Sequence, residues 1–123
     1  LDMMLIQRSG DMLAASGAGG INEVQYAALQ LMVSKATGYK PGQFTHVVAN
    51  EQIYDRHLDA AKMICDRLAT QEDKDAPYYR YKIDNIKLAF HPSENDFYGF
   101  KIEDFDMEGY NPQYPQIKLE LGI

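Results

Sequence analysis

Apolar and polar positions divide this chain into short segments whose period changes along its length. Met3 to Ile6 is a run of long apolar side chains that passes directly into polar Gln7-Arg8-Ser9, the pattern of a buried strand that delivers its carboxyl end to a site. Ala14 to Gly20 is rich in small residues and glycine and reads as a flexible connection. Asn22 is then placed to cap a helix, with Gln25 at capping-box spacing, and Val24, Ala28, Leu31 and Met32 share one helical face. Gly38, shortly before Pro41, is the expected terminator. Phe44 to Asn50 forms a second strand candidate. Asp55 is placed to cap a second helix whose Leu58, Ala61, Ile64, Cys65 and Leu68 align, which makes Cys65 a core residue. Beyond the polar connection Glu72 to Pro77, the alternation from Tyr78 to Ile83 suits a strand, and His91 to Asp96 a loop. Phe100 and Ile102, then Phe105 and Met107, alternate with a phase change that predicts one long strand bulged near Glu103-Asp104. The expected fold is α+β, a mixed sheet packed with two main helices, with residues 1–123 as a single domain.

Composition narrows the function. A chain of 123 residues is long enough to bury roughly two-thirds of its unfolded surface. A net charge of −6 and the absence of a dense Lys/Arg run exclude a nucleic-acid polymer and an acidic membrane surface as partners. The apolar runs fall far short of the ~20 residues that span a bilayer, and no signal-peptide pattern opens the chain. A cytoplasmic location is the expectation. The lone Cys65 permits no internal disulfide and fits reducing surroundings. The chain opens at Leu1 within an apolar stretch, as a piece of a longer polypeptide does.

Few positions invite chemistry. Arg8 offers a rigid fork of donors and Ser9 a hydroxyl, a pair suited to a phosphate monoester, although an isolated Arg-Ser more often makes a surface ion pair and a backbone bond. His46, His57 and His91 fall in different elements, with no second cysteine, so no metal site is expected. Gly17 to Gly20 lacks the spacing of a dinucleotide loop, and the pattern offers no convincing βαβ unit around it. The acidic positions from Glu103 to Glu108 read as a solvent face.

Gln7-Arg8-Ser9-Gly10-Asp11, taken with Glu108-Gly109-Tyr110-Asn111-Pro112 and the tail Ile117-Lys118 to Ile123, resembles the C-terminal part of the thymidylate synthases. The resemblance implies a reductive methylation of dUMP to dTMP in which 5,10-methylenetetrahydrofolate supplies carbon and hydride and a cysteine thiolate adds to the pyrimidine. That cysteine lies upstream of Q-R-S in the family, so Cys65 is not its counterpart, and the chain on this reading is the ligand-binding part without the nucleophile. By the same resemblance Gln7, Arg8 and Ser9 bind the nucleotide, Arg8 and Ser9 through its phosphate, and Asp11 binds the pterin of the reduced folate. Asn22 reads the base, since its amide can donate to O4 while accepting from N3–H. Asp11 and Asn22 thus position the reactants for catalysis.

Gln52 and Tyr54 stand where the family has H-x-Y contacts to the deoxyribose, with Gln52 in place of the histidine. Ile123 ends the tail that closes over the folate, and the parent protein is expected to be a homodimer built through back-to-back sheets. The sequence departs from the family between Asp11 and Asn22, where the turn is longer and Gly20-Ile21 replaces Pro-Phe. Two rivals remain open: a pyrimidine-nucleotide hydroxymethylase of the same superfamily, and a non-catalytic nucleotide-binding or dimerisation domain.

Overall fold

In the computed structural model, residues 1–67, 86–110 and 115–120 are described. The leading apolar run forms β1 (Met3–Gln7), followed by the short β2 (Gly10–Asp11) and a long helix, α1 (Ile21–Thr37). After the helix come β3 (Phe44–Val48) and β4 (Glu51–Gln52). A 3-10 turn over Asp55–His57 leads into α2, helical over 58–67, so Asp55 sits within the turn and Tyr54 takes the position before it. A hairpin of β5 (Lys87–Phe90) and β6 (Phe105–Glu108) completes the set. The fold is α+β, with two helices and small sheets.

The strands pair in three two-stranded sheets among the described residues. β1 lies parallel to β3 with Met3 opposite Phe44, Leu5 opposite His46 and Gln7 opposite Val48. β2 continues the arrangement beside β4, with Asp11 opposite Gln52. The β5–β6 hairpin is antiparallel. Because α1 connects the parallel strands β1 and β3, the chain does contain a βαβ unit, contrary to the reading of its pattern. Tertiary pairing decided this, since neither strand alone shows which neighbour it will take.

α1 contains strong helix formers, Ala27, Ala28, Leu29, Leu31 and Met32, and places Glu23 and Lys35 where each complements the helix dipole. Gly20 and Gly38 bracket it, both left-handed with φ of 64° and 76°, conformations that cost a β-carbon-bearing residue about 1 kcal/mol or more. Asn22 is therefore not the cap. It lies inside the first turn, and its side chain is bonded elsewhere.

The buried face of α1 also differs from the apolar stripe. Gln30 and Ser34 are its buried side chains, while Val24 is exposed and Ala28, Leu31 and Met32 are half-buried. This face is turned roughly a third of a revolution from the expected one, counting 3.6 residues per turn. The cause is polar: Gln30 Nε2 donates to the carbonyls of Leu1 at 2.8 Å and Gln43 at 3.3 Å, bonding the helix to the starts of both parallel strands. Ser34 supplies a small contact surface beside it.

Cys65, expected in the core, is exposed on α2, because no described element covers that side of the helix. The long bulged strand is likewise not formed. Ile102–Asp104 is a 3-10 turn in which the Asp104 carboxylate accepts from Lys101 N at 2.8 Å, and β6 begins after it. Ile102 is left exposed, whereas Phe105 stacks on Phe90 at 4.4 Å and Phe100 meets Phe90 edge-on at 4.9 Å. Aromatic packing on Phe90 thus replaces a continuous ladder. The strand expected over Tyr78–Ile83 lies outside the described residues.

Leu13 is the one buried hydrophobic side chain among the described residues. With so little apolar burial, the bonds from Gln30 carry unusual weight. Gln30→Ala in the full-length protein is expected to lower stability by about 1–2 kcal/mol through loss of these bonds. A urea midpoint that falls at unchanged slope would register the loss.

Candidate functional site

The register that aligns Gln7 with Val48 and Asp11 with Gln52 brings two carboxyl strand ends and the first turn of α1 to one place. Five of the residues singled out in the sequence, Gln7, Arg8, Ser9, Asp11 and Gln52, lie on β1, β2 and β4 or between them, and Asn22 enters from the helix. Their side-chain bonds differ. Gln7 is half-buried, and its Oε1 accepts from Asn22 Nδ2 at 2.9 Å while its Nε2 donates to the carbonyl of Ser9 at 2.7 Å. Arg8 is exposed and makes no ion pair or hydrogen bond with its guanidinium among the described residues. A guanidinium with its donors uncommitted among the described residues is chemically able to bond an oxyanion.

Asp11 both organises the glycine-rich turn and borders the site. Its Oδ1 accepts from Leu13 N at 3.1 Å, and its carbonyl accepts from Ala15 N and Ser16 N, each at 2.9 Å. The turn is held further by the fully buried Ser16, whose hydroxyl donates to Glu51 Oε1 at 2.5 Å. Segment 14–20, expected to be a flexible connection, is consequently a bonded turn. It ends where Ala15 O accepts from Asn22 N at 2.8 Å, directly under the first turn of α1.

Gln52 is exposed opposite Asp11, and Tyr54 is half-open to solvent at 40 %. The Tyr54 ring meets His57 edge-on at 5.7 Å. His57 is buried and its Nε2–H donates to the carbonyl of Glu120 at 2.8 Å, so the described part of the tail is bonded to the turn that follows Tyr54. Gly109 turns the chain out of β6 with φ of 72°, and Tyr110 is exposed. Ile123 lies outside the described residues.

Two participants were missed by the sequence reading. His46 on β3 faces the same side as Leu5, with its Nε2 at 3.0 Å from Gln7 Oε1 and its Nδ1 at 2.7 Å from Glu23 Oε1. Glu23 also accepts from Gly17 N at 3.2 Å, joining the turn, the helix start and the strand. The available signal was the period-two position of His46 between Phe44 and Val48, which assigns a polar side chain to an inward face. Among the described residues no group of three metal-ligating side chains converges.

Parallel strand ends, an arginine unpaired among the described residues and a glutamine–asparagine pair lie together here. The sequence model of the family described as thymidylate synthase matches residues 1–123, and the chain belongs to that family. The thymidylate synthase of Lactococcus lactis subsp. cremoris (strain SK11) is 37% identical over 124 residues, covering 100% of this chain and 39% of that protein. That of Streptococcus suis (strain 05ZYH33) is 35% identical with the same coverage. Thermostable thymidylate synthase A from Bacillus subtilis superposes with a TM-score of 0.62 at 27% identity, covering 99% of this chain and 37% of the other. The chain thus spans well under half the length of the relatives it matches.

The closeness of the turn to β2 makes a stability prediction for the site. A β-carbon added at Gly10 would collide with Ser16 Oγ and approach Glu51 Oε1 at 2.9 Å. Gly10→Ala is expected to displace the Ser16–Glu51 bond and destabilise the full-length protein by about 1–3 kcal/mol. Calorimetric melting of the two proteins side by side measures this, with a lower Tm expected for the variant.

Proposed function

We propose that residues 1–123 form the C-terminal nucleotide- and folate-binding domain of a thymidylate synthase that methylates dUMP reductively to dTMP with 5,10-methylenetetrahydrofolate. The observation that carries this reading is the convergence of Gln7, Arg8, Ser9, Asp11, Asn22 and Gln52 at the carboxyl ends of β1, β2 and β4 and the start of α1. Arg8, whose donors are uncommitted among the described residues, and Ser9 take the 5′-phosphate. Asn22, whose amide is bonded on one side to Gln7, presents its remaining N–H and its oxygen to the uracil edge. Gln52 and Tyr54 approach the deoxyribose hydroxyl; an amide in place of the family histidine still donates and accepts there.

The half-buried Asp11 carboxylate fits the folate, because an acceptor at this strand end matches the N–H groups of a pterin. The folate supplies the one-carbon unit and the hydride. This chain's residues orient the two ligands and, with Ile123 and the tail, exclude water. The nucleophilic cysteine is contributed by polypeptide preceding this chain in the parent protein, so these residues alone carry no activity. The parent is a cytoplasmic homodimer. Support for association comes from Met4, Ile6 and Val47, which lie exposed on one face of the β1–β3 sheet. No described helix is long and apolar enough to cross a membrane.

Two substitutions in the full-length protein test the ligand assignments. Arg8→Ala is expected to weaken deoxyuridine monophosphate binding by about 1.5–3 kcal/mol while leaving deoxyuridine binding nearly unchanged. Titration calorimetry with both ligands reads the difference, and equal losses would make Arg8 structural. Asn22→Asp should shift preference from the uracil toward the cytosine nucleotide, because a carboxylate accepts from an exocyclic amine and cannot donate to O4. An unaltered affinity ratio would remove Asn22 from the base contact.

A further inference from the structure

The orientation of the Asn22 amide is fixed by a chain of bonds that begins at groups with a single possible role. A backbone carbonyl only accepts, so the 2.7 Å contact between Gln7 and Ser9 O requires Gln7 to present its Nε2 there and its Oε1 to the other side. Gln7 Oε1 is then an acceptor facing Asn22 at 2.9 Å and His46 at 3.0 Å, and both must donate to it. Asn22 therefore turns its Nδ2 toward Gln7, and His46 carries a proton on Nε2. The Glu23 carboxylate lies at 2.7 Å from the other ring nitrogen, Nδ1, and holds the ring in place. Glu23 stands at an N-terminal helix position favourable to a carboxylate. The ring is 10% exposed, so solvent is a poor substitute for either partner.

We propose that His46, held by Glu23, is a positioning and specificity-determining residue. It locks the Gln7 amide and thereby the donor-acceptor polarity that Asn22 offers to the pyrimidine. This rests on the nucleotide-binding reading of the site. A ring without the Nε2 proton would set a lone pair against Gln7 Oε1. Rotation of the Gln7 amide would relieve that contact only by opposing two oxygens at Ser9. Either arrangement loosens Asn22, and the face matched to O4 and N3–H loses its advantage over one matched to N4–H₂ and N3.

The test measures dissociation constants of deoxyuridine and deoxycytidine 5′-monophosphates for the full-length protein and its His46 variants, with folding checked by circular dichroism. His46→Leu should reduce the uracil-over-cytosine ratio about tenfold, the equivalent of one hydrogen bond. His46→Asn should reduce it similarly, since its amide occupies the Nδ1 end of the ring and falls short of Gln7. His46→Gln, whose amide reaches the Nε2 position, should restore most of the ratio. If the leucine variant fails to fold, the asparagine and glutamine pair decides the question. An unchanged ratio in His46→Asn, or equal loss in the asparagine and glutamine variants, would overturn the proposal. Failure of the unsubstituted protein to bind either nucleotide would overturn the nucleotide reading itself, and this inference with it.

Discussion

Parallel pairing of Met3–Gln7 with Phe44–Val48 is the constraint on which the arrangement depends. Parallel neighbours cannot be joined by a tight turn, so the chain between them must cross over, and α1 is that crossover. Once the strands run the same way, their carboxyl ends share one edge. Gln7 and the residues after it then meet the segment beyond Val48, and the start of α1 is drawn beneath them by the turn from Asp11 to Gly20. Site and scaffold are consequently not separable. The bond that fixes α1 at one end, from Gln30 to the strand starts, and those that fix it at the other, from Glu23 and Asn22, bracket the same crossover.

Local chemistry made much of this legible. The apolar run ending in Gln7, the helix stopped by Gly38 and the strand from Phe44 follow from side-chain period and from glycine's tolerance of positive φ. Strand register sets Asp11 opposite Gln52, and a side-chain bond joins Gln7 to Asn22. What escaped depended on partners remote in sequence. Cys65 aligned with apolar neighbours on α2, yet a helical stripe is buried only if something lies against it. The inward face of α1 was set by bonds from Gln30 to two carbonyls at the strand starts, a long-range contact that hydrophobic period does not record. Asn22 had the right identity for a cap and the wrong position, because Gly20 already supplied the turn.

The polar network shows why an isolated motif underdetermines a site. Gln7 and Asn22 are motif positions, whereas His46 and Glu23 occupy places marked in the sequence only by strand alternation and helix phase. An amide has two chemically opposite ends, and its usefulness in telling one base from another depends on which end is presented. That choice begins at the Ser9 carbonyl, which can only accept, and reaches Asn22 through Gln7, with His46 at the same amide oxygen. The half-buried setting strengthens each of these bonds relative to solvent and raises the cost of a mismatched one.

His57 gives the molecule a mechanical property of a different kind. Its ring touches Tyr54 on one side and its Nε2–H holds the Glu120 carbonyl on the other, so the turn after β4 and the terminal segment share one buried hinge pin. A ring bonded at Nε2 cannot turn without loss of the Glu120 bond, so the edge it presents to Tyr54 is set in part by the segment that carries Glu120. By the same geometry, an interaction that fixes the ring from the Tyr54 side also favours its bond to Glu120, since the two contacts share one ring orientation.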